Sequence, residues 1–342
     1  MSYVSDAAIQ RLRSVASWPG FSDDRYQVVR EIGRGGMGTV YLGRDAALNR
    51  EVAIKVTNGA AAGSALEGRM RMEARFVASL EHPGIVPIHD TGTLADGRLF
   101  TVMKLVRGVT LGAHLASVRE LAERLLLFER ICEPVAFAHA RGMVHRDLKP
   151  GNIMIGAFGE VLVMDWGVAK RLGEKGEAGE AGERGSEGNE GREVPSVPSN
   201  TDPGTVIGTA GYMAPEQALG RNDVDARADV YALGAILFGM ITGQESHPQD
   251  MSPAGAALPR TVPKRLRAIC AKAMASAAEA RYADAAALAD DLARLRSGLP
   301  VSAYPESLLD HAARLALKYR TPILLILTYL AVRTVIAVVF GR

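Results

Sequence analysis

The most informative part of the sequence is His145-Arg146-Asp147-Leu148-Lys149-Pro150-Gly151-Asn152, which is followed by Asp165-Trp166-Gly167. A carboxylate such as Asp147 can accept the proton of an attacking hydroxyl group. Lys149 can neutralise negative charge on a group that is being transferred. Asn152 and Asp165 offer the oxygen ligands that Mg²⁺ prefers. We therefore predict that Asp147 and Lys149 are catalytic and that Asn152 and Asp165 bind a metal ion.

A glycine-rich stretch lies upstream, Ile32-Gly33-Arg34-Gly35-Gly36-Met37-Gly38-Thr39-Val40, and it leads to Val52-Ala53-Ile54-Lys55. Because glycine has no side chain, such a loop can approach a triphosphate closely. If Ile54 and Val56 face a core, strand alternation turns Lys55 to the opposite face, where its ammonium group can hold phosphates. We predict that residues 32–40 and Lys55 bind ATP and that the whole set performs phosphoryl transfer.

Lys55 needs an anion nearby to hold its ammonium group in place. Glu73 lies in Arg71-Met72-Glu73-Ala74-Arg75, on a predicted helix that ends before His82-Pro83. We predict that Glu73 is this partner, and Glu67 is the alternative. A solvated glutamate on a charged helix face is the interpretation that competes with both.

The composition indicates an ordinary globular chain. Its 342 residues carry a formal net charge of +2, which gives no global field for nucleic acid. Cys132 and Cys270 lie in apolar, helix-like stretches without metal-ligand spacing, so we expect neither a disulfide framework nor a cysteine metal site. No nucleic-acid partner is expected.

Strand patterns dominate the first third of the chain, and helix patterns follow. Strands are predicted at 26–29, 39–42, 51–57, 85–90 and 99–106, with one helix at 69–80. Longer helices are predicted at 120–141, 225–242, 263–275 and 283–296.

Residues 172–203 differ from the rest because they consist mainly of Gly, Glu, Ala, Ser, Pro and Asn. Such a segment cannot bury enough apolar surface to offset its ordering entropy, so we predict that it is disordered. A loop of this length inside a domain indicates regulation.

The C-terminal residues 322–340 are almost entirely Leu, Ile, Val and Ala, with Arg333 as an interruption. Their length just meets the thickness of a hydrocarbon core, so we predict a transmembrane helix at 321–340 after a basic juxtamembrane linker at 299–320. Arg314, Lys318 and Arg320 precede it, which places the preceding domain in the cytoplasm by the positive-inside rule. A helix that docks on the domain or lies at the membrane interface is the alternative.

Taken together, these motifs resemble the eukaryotic-type (Hanks-type) serine/threonine protein kinases found in bacteria. The resemblance covers roughly residues 26–298 and implies an α+β, bilobal fold after an N-terminal extension at 1–25. A small β-rich lobe at 26–106 would precede a larger helical lobe at 107–298. The membrane prediction adds a single-pass location with the kinase domain in the cytoplasm.

The same resemblance implies roles for further residues. Thr209 and Glu216 lie in the segment Gly208-Thr209-Ala210-Gly211-Tyr212-Met213-Ala214-Pro215-Glu216, which closes the activation loop in the family. The implied roles are a buried anchor for the catalytic loop (Asp229), a partner of Glu216 (Arg281), a gatekeeper (Met103), a hinge whose backbone binds adenine (Lys104 to Val106), a wall over adenine (Val40) and the two sides of the adenine site (Ala53 and Met154).

Arg146 implies control by phosphorylation, because a buried arginine needs an anion nearby. Ser199, Thr201 and Thr205 are the candidate acceptors, with Thr201 or Thr205 as the expected autophosphorylation site. That they are merely polar loop residues is the competing interpretation.

The chain departs from the family pattern at Trp166, where phenylalanine is usual, and at Arg107, where an acidic residue often contacts ribose.

The expected activity is transfer of the ATP γ-phosphate to Ser and Thr hydroxyls of protein substrates, with Mg²⁺ or Mn²⁺ as the cation. A pseudokinase that binds ATP and acts as a scaffold at the membrane is the alternative. Similar kinases dimerise through the back of the small lobe, so a homodimer is a further expectation.

Overall fold

The computed structural model describes residues 18–21, 24–35, 38–60, 74–75, 77–166, 170–171, 211–221, 224–243, 258–305 and 319–340. The described residues form a small lobe built on one sheet and a larger, mainly helical lobe. This arrangement confirms the predicted α+β, bilobal fold.

The small lobe is a five-stranded antiparallel sheet with the strand order β1-β2-β3-β5-β4. Its strands are β1 (Tyr26–Gly35), β2 (Gly38–Asp45), β3 (Arg50–Ala60), β4 (Ile88–Thr93) and β5 (Arg98–Lys104). Val52, Ile54 and Val56 alternate along β3 and are at most 1% exposed, so they form the core on one face of the sheet. The alternate residues of β3 therefore face the other lobe.

The N-terminal extension packs on this core through aromatic side chains. Trp18 and Phe21 lie against the buried cluster of the sheet. The Phe21 ring meets Phe100 edge-on with a centroid distance of 5.0 Å and lies 5.8 Å from the ring of Tyr26. The described part of the extension thus belongs to the small lobe.

The strand predicted at 85–90 was placed too early in the chain. Pro87 lacks an N–H donor, and regular pairing begins only at Ile88. Ile85 instead forms an isolated parallel bridge with Val163, and it is 1% exposed within the core of the large lobe. The segment before β4 therefore joins the two lobes.

The large lobe contains most of the helices. Its helices are α1 (Leu111–Leu115), α2 (Leu121–Ala140), α3 (Pro215–Ala218), α4 (Ala226–Thr242), α5 (Lys264–Ala273) and α6 (Ala285–Arg296). Short strands carry the loops of the cleft: β6 (Gly108–Thr110), β7 (Met143–Val144), β8 (Ile153–Gly156), β9 (Val161–Val163) and β10 (Lys170–Arg171). The four long helices predicted from periodicity are present with ends shifted by one or two residues.

Helix α4 forms the centre of the large lobe. It begins at an Asp225 side chain that accepts a hydrogen bond from the Arg227 amide at 2.9 Å, and it ends at Gly243 with φ of 72°. Its own buried apolar residues lie on every side of the helix, which is typical of a helix buried within a domain. Its position makes it a rigid support for the loops of the cleft.

A last helix, α7 (Arg320–Phe340), coincides with the predicted membrane segment. Within the described residues, however, no helix has both the length and the apolar character that crossing a membrane requires. Arg333 and the threonines at 321, 328 and 334 interrupt the apolar run. The prediction of a membrane-spanning helix is therefore not supported.

Candidate active site

The loop that carries Asp147 is held by a buried carboxylate. Asp229 lies in the first turn of α4 and is 1% exposed. Its Oδ1 accepts a hydrogen bond from the Arg146 amide at 2.8 Å, and its Oδ2 accepts one from the His145 amide at 2.7 Å. This is the anchoring role that the resemblance implied, and it fixes the backbone immediately before Asp147.

His139, which belongs to none of the motifs in the sequence, completes the support of this carboxylate. Its Nδ1 accepts a hydrogen bond from the Ala285 amide at 3.2 Å, so its Nε2 carries the proton and donates to Asp229 at 2.9 Å. Burial raises the pKa of the Asp229 carboxyl, but the hydrogen bond from His139 and the donors of the loop outweigh it. The pKa of Asp229 therefore lies below its ordinary value.

Asp147 lies within a group of polar side chains on the same loop. Lys149 Nζ donates to Asp147 Oδ2 at 2.8 Å, and Asn152 Nδ2 donates to the same oxygen at 3.1 Å. Asn152 Nδ2 also donates to the Asp147 carbonyl oxygen at 2.8 Å. The carboxylate that we expect to act as the base is thus oriented by two neighbours from its own loop.

Lys55 reaches this region from the small lobe. Because Ile54 and Val56 are buried in the sheet core, the Lys55 side chain leaves the opposite face, as predicted. Its Nζ contacts Oδ1 of Asp165, which follows β9 in the large lobe. The structure therefore brings the predicted strand lysine and a predicted metal ligand together across the cleft.

Two residues of this site have left-handed backbone conformations. Arg146 has φ of 69° and Asp165 has φ of 61°, a region that side chains other than glycine visit rarely. Such conformations persist where the surrounding structure determines them, and they often mark functional sites. Here the hydrogen bond from the Arg146 amide to Asp229 holds the first of them.

Trp166 fills the place where the family usually has phenylalanine. It is 4% exposed, and its ring centroid lies 4.6 Å from that of His145. Its Nε1 donates to the Val163 carbonyl at 3.2 Å, which satisfies the one polar group of the ring. His145 in turn donates through Nε2 to the Met164 carbonyl at 2.9 Å, so the loop before Asp165 is tied to the catalytic loop.

One face of the small-lobe sheet can receive a nucleotide. Val40 pairs with Lys55 across β2 and β3, and Ala53 pairs with Met103 across β3 and β5. Met154 lies opposite in β8 of the large lobe, which pairs with β6 just after the hinge segment. The residues predicted to surround adenine therefore come from strands on both sides of the cleft.

The glycine loop has space for a ligand. A Cβ at Gly38 would lie 2.3 Å from the Val56 carbonyl oxygen, so the sheet itself requires glycine there. At Gly33 and Gly35, by contrast, an added Cβ would meet nothing within 4 Å. The open side of these two residues fits a loop that lies over phosphates.

The donor set at the metal position fits a hard divalent cation. Both of these hydrogen bonds of the Asn152 side-chain amide use Nδ2, so its Oδ1, on the other branch of the amide group, takes part in neither of them. Asp165 adds a carboxylate, and oxygen ligands of these two kinds suit Mg²⁺. Asn152 and Asp165 would supply the protein's share of the ligands, with phosphate oxygens and water as the remainder.

A second predicted contact lies below the cleft. Arg281 has no exposed side-chain surface, and its guanidinium group binds both carboxylate oxygens of Glu216 at 2.6 and 2.9 Å. It also donates to the carbonyl oxygens of Ala275, Arg227 and Ser276 at 2.7, 3.0 and 3.1 Å. These bonds use all five donors of the guanidinium group.

Two further contacts were not anticipated from the sequence. Gln217 Nε2 donates to the Arg146 carbonyl at 2.8 Å, which links α3 to the catalytic loop. Arg107, which stands just after the hinge where the family often has an acidic residue, contacts Glu51 at the start of β3. Neither long-range pair leaves a signal in local sequence spacing.

Several predictions concern residues outside the described part of the chain. They are Gly36 and Met37 of the glycine loop, Glu73 with its alternative Glu67, the insertion at 172–203, the acceptors Ser199, Thr201 and Thr205, and Thr209. They stay predictions. Of the helix predicted at 69–80, residues 74–75 and 77–80 are described; 74–75 and 77–78 are helical, and the helix ends before residue 79.

Comparison with known proteins agrees with this geometry. The model of the protein kinase domain family matches residues 26–292, and the chain therefore belongs to that family. Proteins of this family use ATP and a divalent metal ion, generally Mg²⁺.

Curated relatives include the serine/threonine-protein kinase PknB of Mycobacterium tuberculosis. It is 36% identical over 311 residues, which are 85% of this chain and 46% of that protein. The serine/threonine-protein kinase PknD of Chlamydia pneumoniae is 34% identical over 308 residues, 81% of this chain and 32% of that protein. The chain thus spans less than half the length of each of these two relatives.

Among solved structures, the kinase domain of Mycobacterium tuberculosis PknI is similar to this chain. It has a TM-score of 0.60 and is 26% identical, and the match covers 81% of this chain and 98% of that one.

Proposed function

We propose that the chain transfers the γ-phosphoryl group of ATP to serine and threonine hydroxyls of proteins, with Mg²⁺ or Mn²⁺ as the cation. One observation carries this proposal: Lys55 from the small lobe contacts Asp165 in the large lobe, beside the loop on which Lys149 and Asn152 orient Asp147. The names of the PknB and PknD relatives support serine and threonine as acceptors. Lys149, two residues after the base, supports the same choice.

In the proposed reaction Asp147 accepts the proton of the acceptor hydroxyl while the oxygen attacks the γ-phosphorus. The new oxygen–phosphorus bond forms as the bond to the bridging oxygen of ADP breaks. Lys149 lies 2.8 Å from the base, where its ammonium group can stabilise the negative charge on the transferring group. The chain therefore needs no covalent intermediate.

Lys55 positions the nucleotide rather than transferring protons. Its ammonium group leaves the cleft face of β3 and can bind the α- and β-phosphates once these compete with the Asp165 carboxylate. A bound divalent cation would neutralise charge on the phosphates, and Asn152 and Asp165 would hold it. Glycines 33 and 35 leave room for backbone contacts to the same phosphates.

The enzyme class is tested by incubating the chain and its Lys55→Met variant with radiolabelled ATP and Mg²⁺. We expect label on serine and threonine with the wild type and not with Lys55→Met, as read by phosphoamino-acid analysis. Arg119→Ala serves as the control, because Arg119 is exposed and lies outside the cleft. If neither the wild type nor Lys55→Met incorporates label although the wild type binds ATP, the pseudokinase scaffold replaces this proposal.

We further propose that the chain autophosphorylates Thr201 or Thr205, with Ser199 as the remaining candidate, and that the phosphate pairs with Arg146. The position of Arg146 directly before the catalytic aspartate supports this proposal, because its guanidinium group can then couple a phosphate to the loop. Mass spectrometry of the active protein and of its Asp147→Asn variant tests it. Absence of phosphate from residues 199–205 of the active protein would end it.

Light scattering of the same samples tests the predicted homodimer.

Membrane association through α7, with the kinase domain on the cytoplasmic side, is a further proposal. The described residues 324–327 point in four directions around the helix and are 56–67% exposed, so apolar surface surrounds this turn. Lipid can cover apolar surface on all sides of a helix, whereas a protein partner would cover one side only, so this surface favours lipid. Fractionation of the full chain, followed by carbonate extraction and protease protection, distinguishes a soluble, a peripheral and a single-pass protein.

A further inference from the structure

A groove lies behind the hinge, outside the site described above. It has a volume of ≈ 520 Å³ and is lined by the segment before β4, the end of β5, helix α2 and the turn between β8 and β9. Pro83, Pro87, Ile85 and Leu162 give it apolar walls. We call it the hinge-side groove. Of its lining residues only Lys104 has a predicted role in nucleotide binding, and that role belongs to the backbone.

An exposed aromatic side chain lies at one edge of the groove. Phe158 is 98% exposed, the largest exposed fraction among the large apolar residues that the structure describes. The turn that carries it is ordered by hydrogen bonds: the Gly159 amide donates to the Gly156 carbonyl at 3.0 Å, and the Phe158 amide donates to Glu160 Oε2 at 3.0 Å. Phe158, on this hydrogen-bonded turn, extends the apolar surface of the groove, and contiguous exposed apolar surface marks interaction sites.

The charges around the hinge-side groove favour an acidic partner. Lys104 and Arg130 are both exposed and line the groove, and neither forms an ion pair within the described residues. Glu160 also lines the groove, and one oxygen of its carboxylate accepts the Phe158 amide. Two cationic side chains against one carboxylate leave the lining with a net positive charge, which complements a peptide that carries carboxylates.

We propose that the hinge-side groove docks an extended peptide of a protein substrate, with apolar side chains in the groove and acidic side chains beside Lys104 and Arg130. This proposal rests on the proposed kinase function. The groove lies at the hinge and not in the cleft, so a docked substrate stays close to the active site while its acceptor hydroxyl is free to enter. Docking would thus lower KM for substrates that carry such a peptide and leave kcat unchanged.

Binding is measured by fluorescence anisotropy with a fluorescein-labelled peptide in which three glutamates flank a Leu-Pro-Leu core. The protein is the full chain with Asp147→Asn, so the measurement does not depend on phosphoryl transfer. We expect Arg130→Glu and Phe158→Ser each to weaken binding about tenfold. The matched controls Arg119→Glu and Leu126→Ser, exposed positions outside the groove, should bind as the parent does.

The kinetic arm uses the active chain with a threonine peptide, alone or fused to the glutamate peptide. We expect fusion to lower KM about tenfold for the wild type and not for Arg130→Glu, with equal kcat on the unfused peptide. Loss of all transfer to the unfused peptide would refute the kinase proposal instead, and the anisotropy result would still stand.

Three results would overturn the docking proposal. The first is equal binding of the glutamate peptide and its lysine counterpart, or equal affinity of Arg130→Glu and Arg119→Glu. The second is a dimer in sedimentation that Phe158→Ser dissociates, because a second copy would then occupy the groove. The third is tighter binding of a peptide with the sequence of residues 186–198, which would assign the groove to this chain's own segment.

Discussion

Replacing Asp229 by asparagine perturbs the support of the catalytic loop with little change of side-chain volume. The carboxylate accepts three hydrogen bonds, from the amides of His145 and Arg146 and from the imidazole of His139. Asparagine keeps one acceptor oxygen and replaces the other by an NH₂ group. Whichever way the amide lies, at least one N–H donor then faces another donor inside the protein.

The expected loss of stability follows from these contacts. Hydrogen bonds to a charged group contribute about 1.5–3 kcal/mol each, and a buried donor without an acceptor costs about 1–3 kcal/mol. Breaking one or two of the three bonds therefore predicts a loss of about 3–5 kcal/mol in the free energy of unfolding. That is a large share of the ~5–15 kcal/mol typical of a domain.

Asp291 offers a matched control in the same lobe. It is 2% exposed, and its carboxylate accepts hydrogen bonds from the Ser302 amide and hydroxyl, the Tyr282 hydroxyl and the Ala303 amide at 2.7–3.0 Å. None of these groups belongs to the catalytic loop. Asp291→Asn should thus lose a similar free energy of unfolding and keep the kcat of the wild type at temperatures where it is folded.

The assay is urea unfolding of both variants together with kcat for a threonine peptide well below their melting temperatures. We expect similar losses of stability and a fall of at least about tenfold in kcat for Asp229→Asn alone. Equal kcat for the two folded variants would refute the argument that Asp229 acts on catalysis through the loop backbone.

Three more outcomes follow from the structure. Arg281→Met should lower the free energy of unfolding by about 3–5 kcal/mol, because it leaves the partly buried Glu216 carboxylate and three carbonyl groups without their donor, and urea titration measures this loss. Gly38→Ala should lower the melting temperature, because the new Cβ would approach the Val56 carbonyl to 2.3 Å, while Gly33→Ala should leave it nearly unchanged. The pKa values of the carboxyl groups of Asp229 and Asp291 lie below the ordinary value. Their contribution to stability is therefore present above about pH 4 and is lost as the pH falls through the folded-state pKa. Urea midpoints between pH 6 and pH 3 should show a shallower decline in each asparagine variant.

Local patterns predicted much of the fold. Alternation in 51–57 placed Lys55 on the cleft face, because period two and burial of its neighbours leave no other orientation. The helices at 120–141 and 225–242 were predicted from their apolar residues, which are periodic in the first and nearly continuous in the second. The strand at 85–90 was misplaced because the apolar Ile85 serves the core of the other lobe and not the sheet.

The supporting contacts of the site could not be read from the chain without the family resemblance. His139 and Asp229 are 90 positions apart, and Gln217 reaches Arg146 across 71 positions. Nothing in the sequence near His139 distinguishes it from an ordinary helix residue. The residues proposed to meet substrate could be predicted because they cluster in short motifs, whereas the residues that hold them are brought close only by folding.

The role of Asp147 is tested by single-turnover transfer from ATP to a threonine peptide by the wild type and by Asp147→Asn. If Asp147 is the base that the loop orients in the cleft, the variant should lose about 10²–10⁴-fold in rate and bind ATP with the wild-type affinity. Transfer by Asp147→Asn at the wild-type rate would show that Asp147 is not the base.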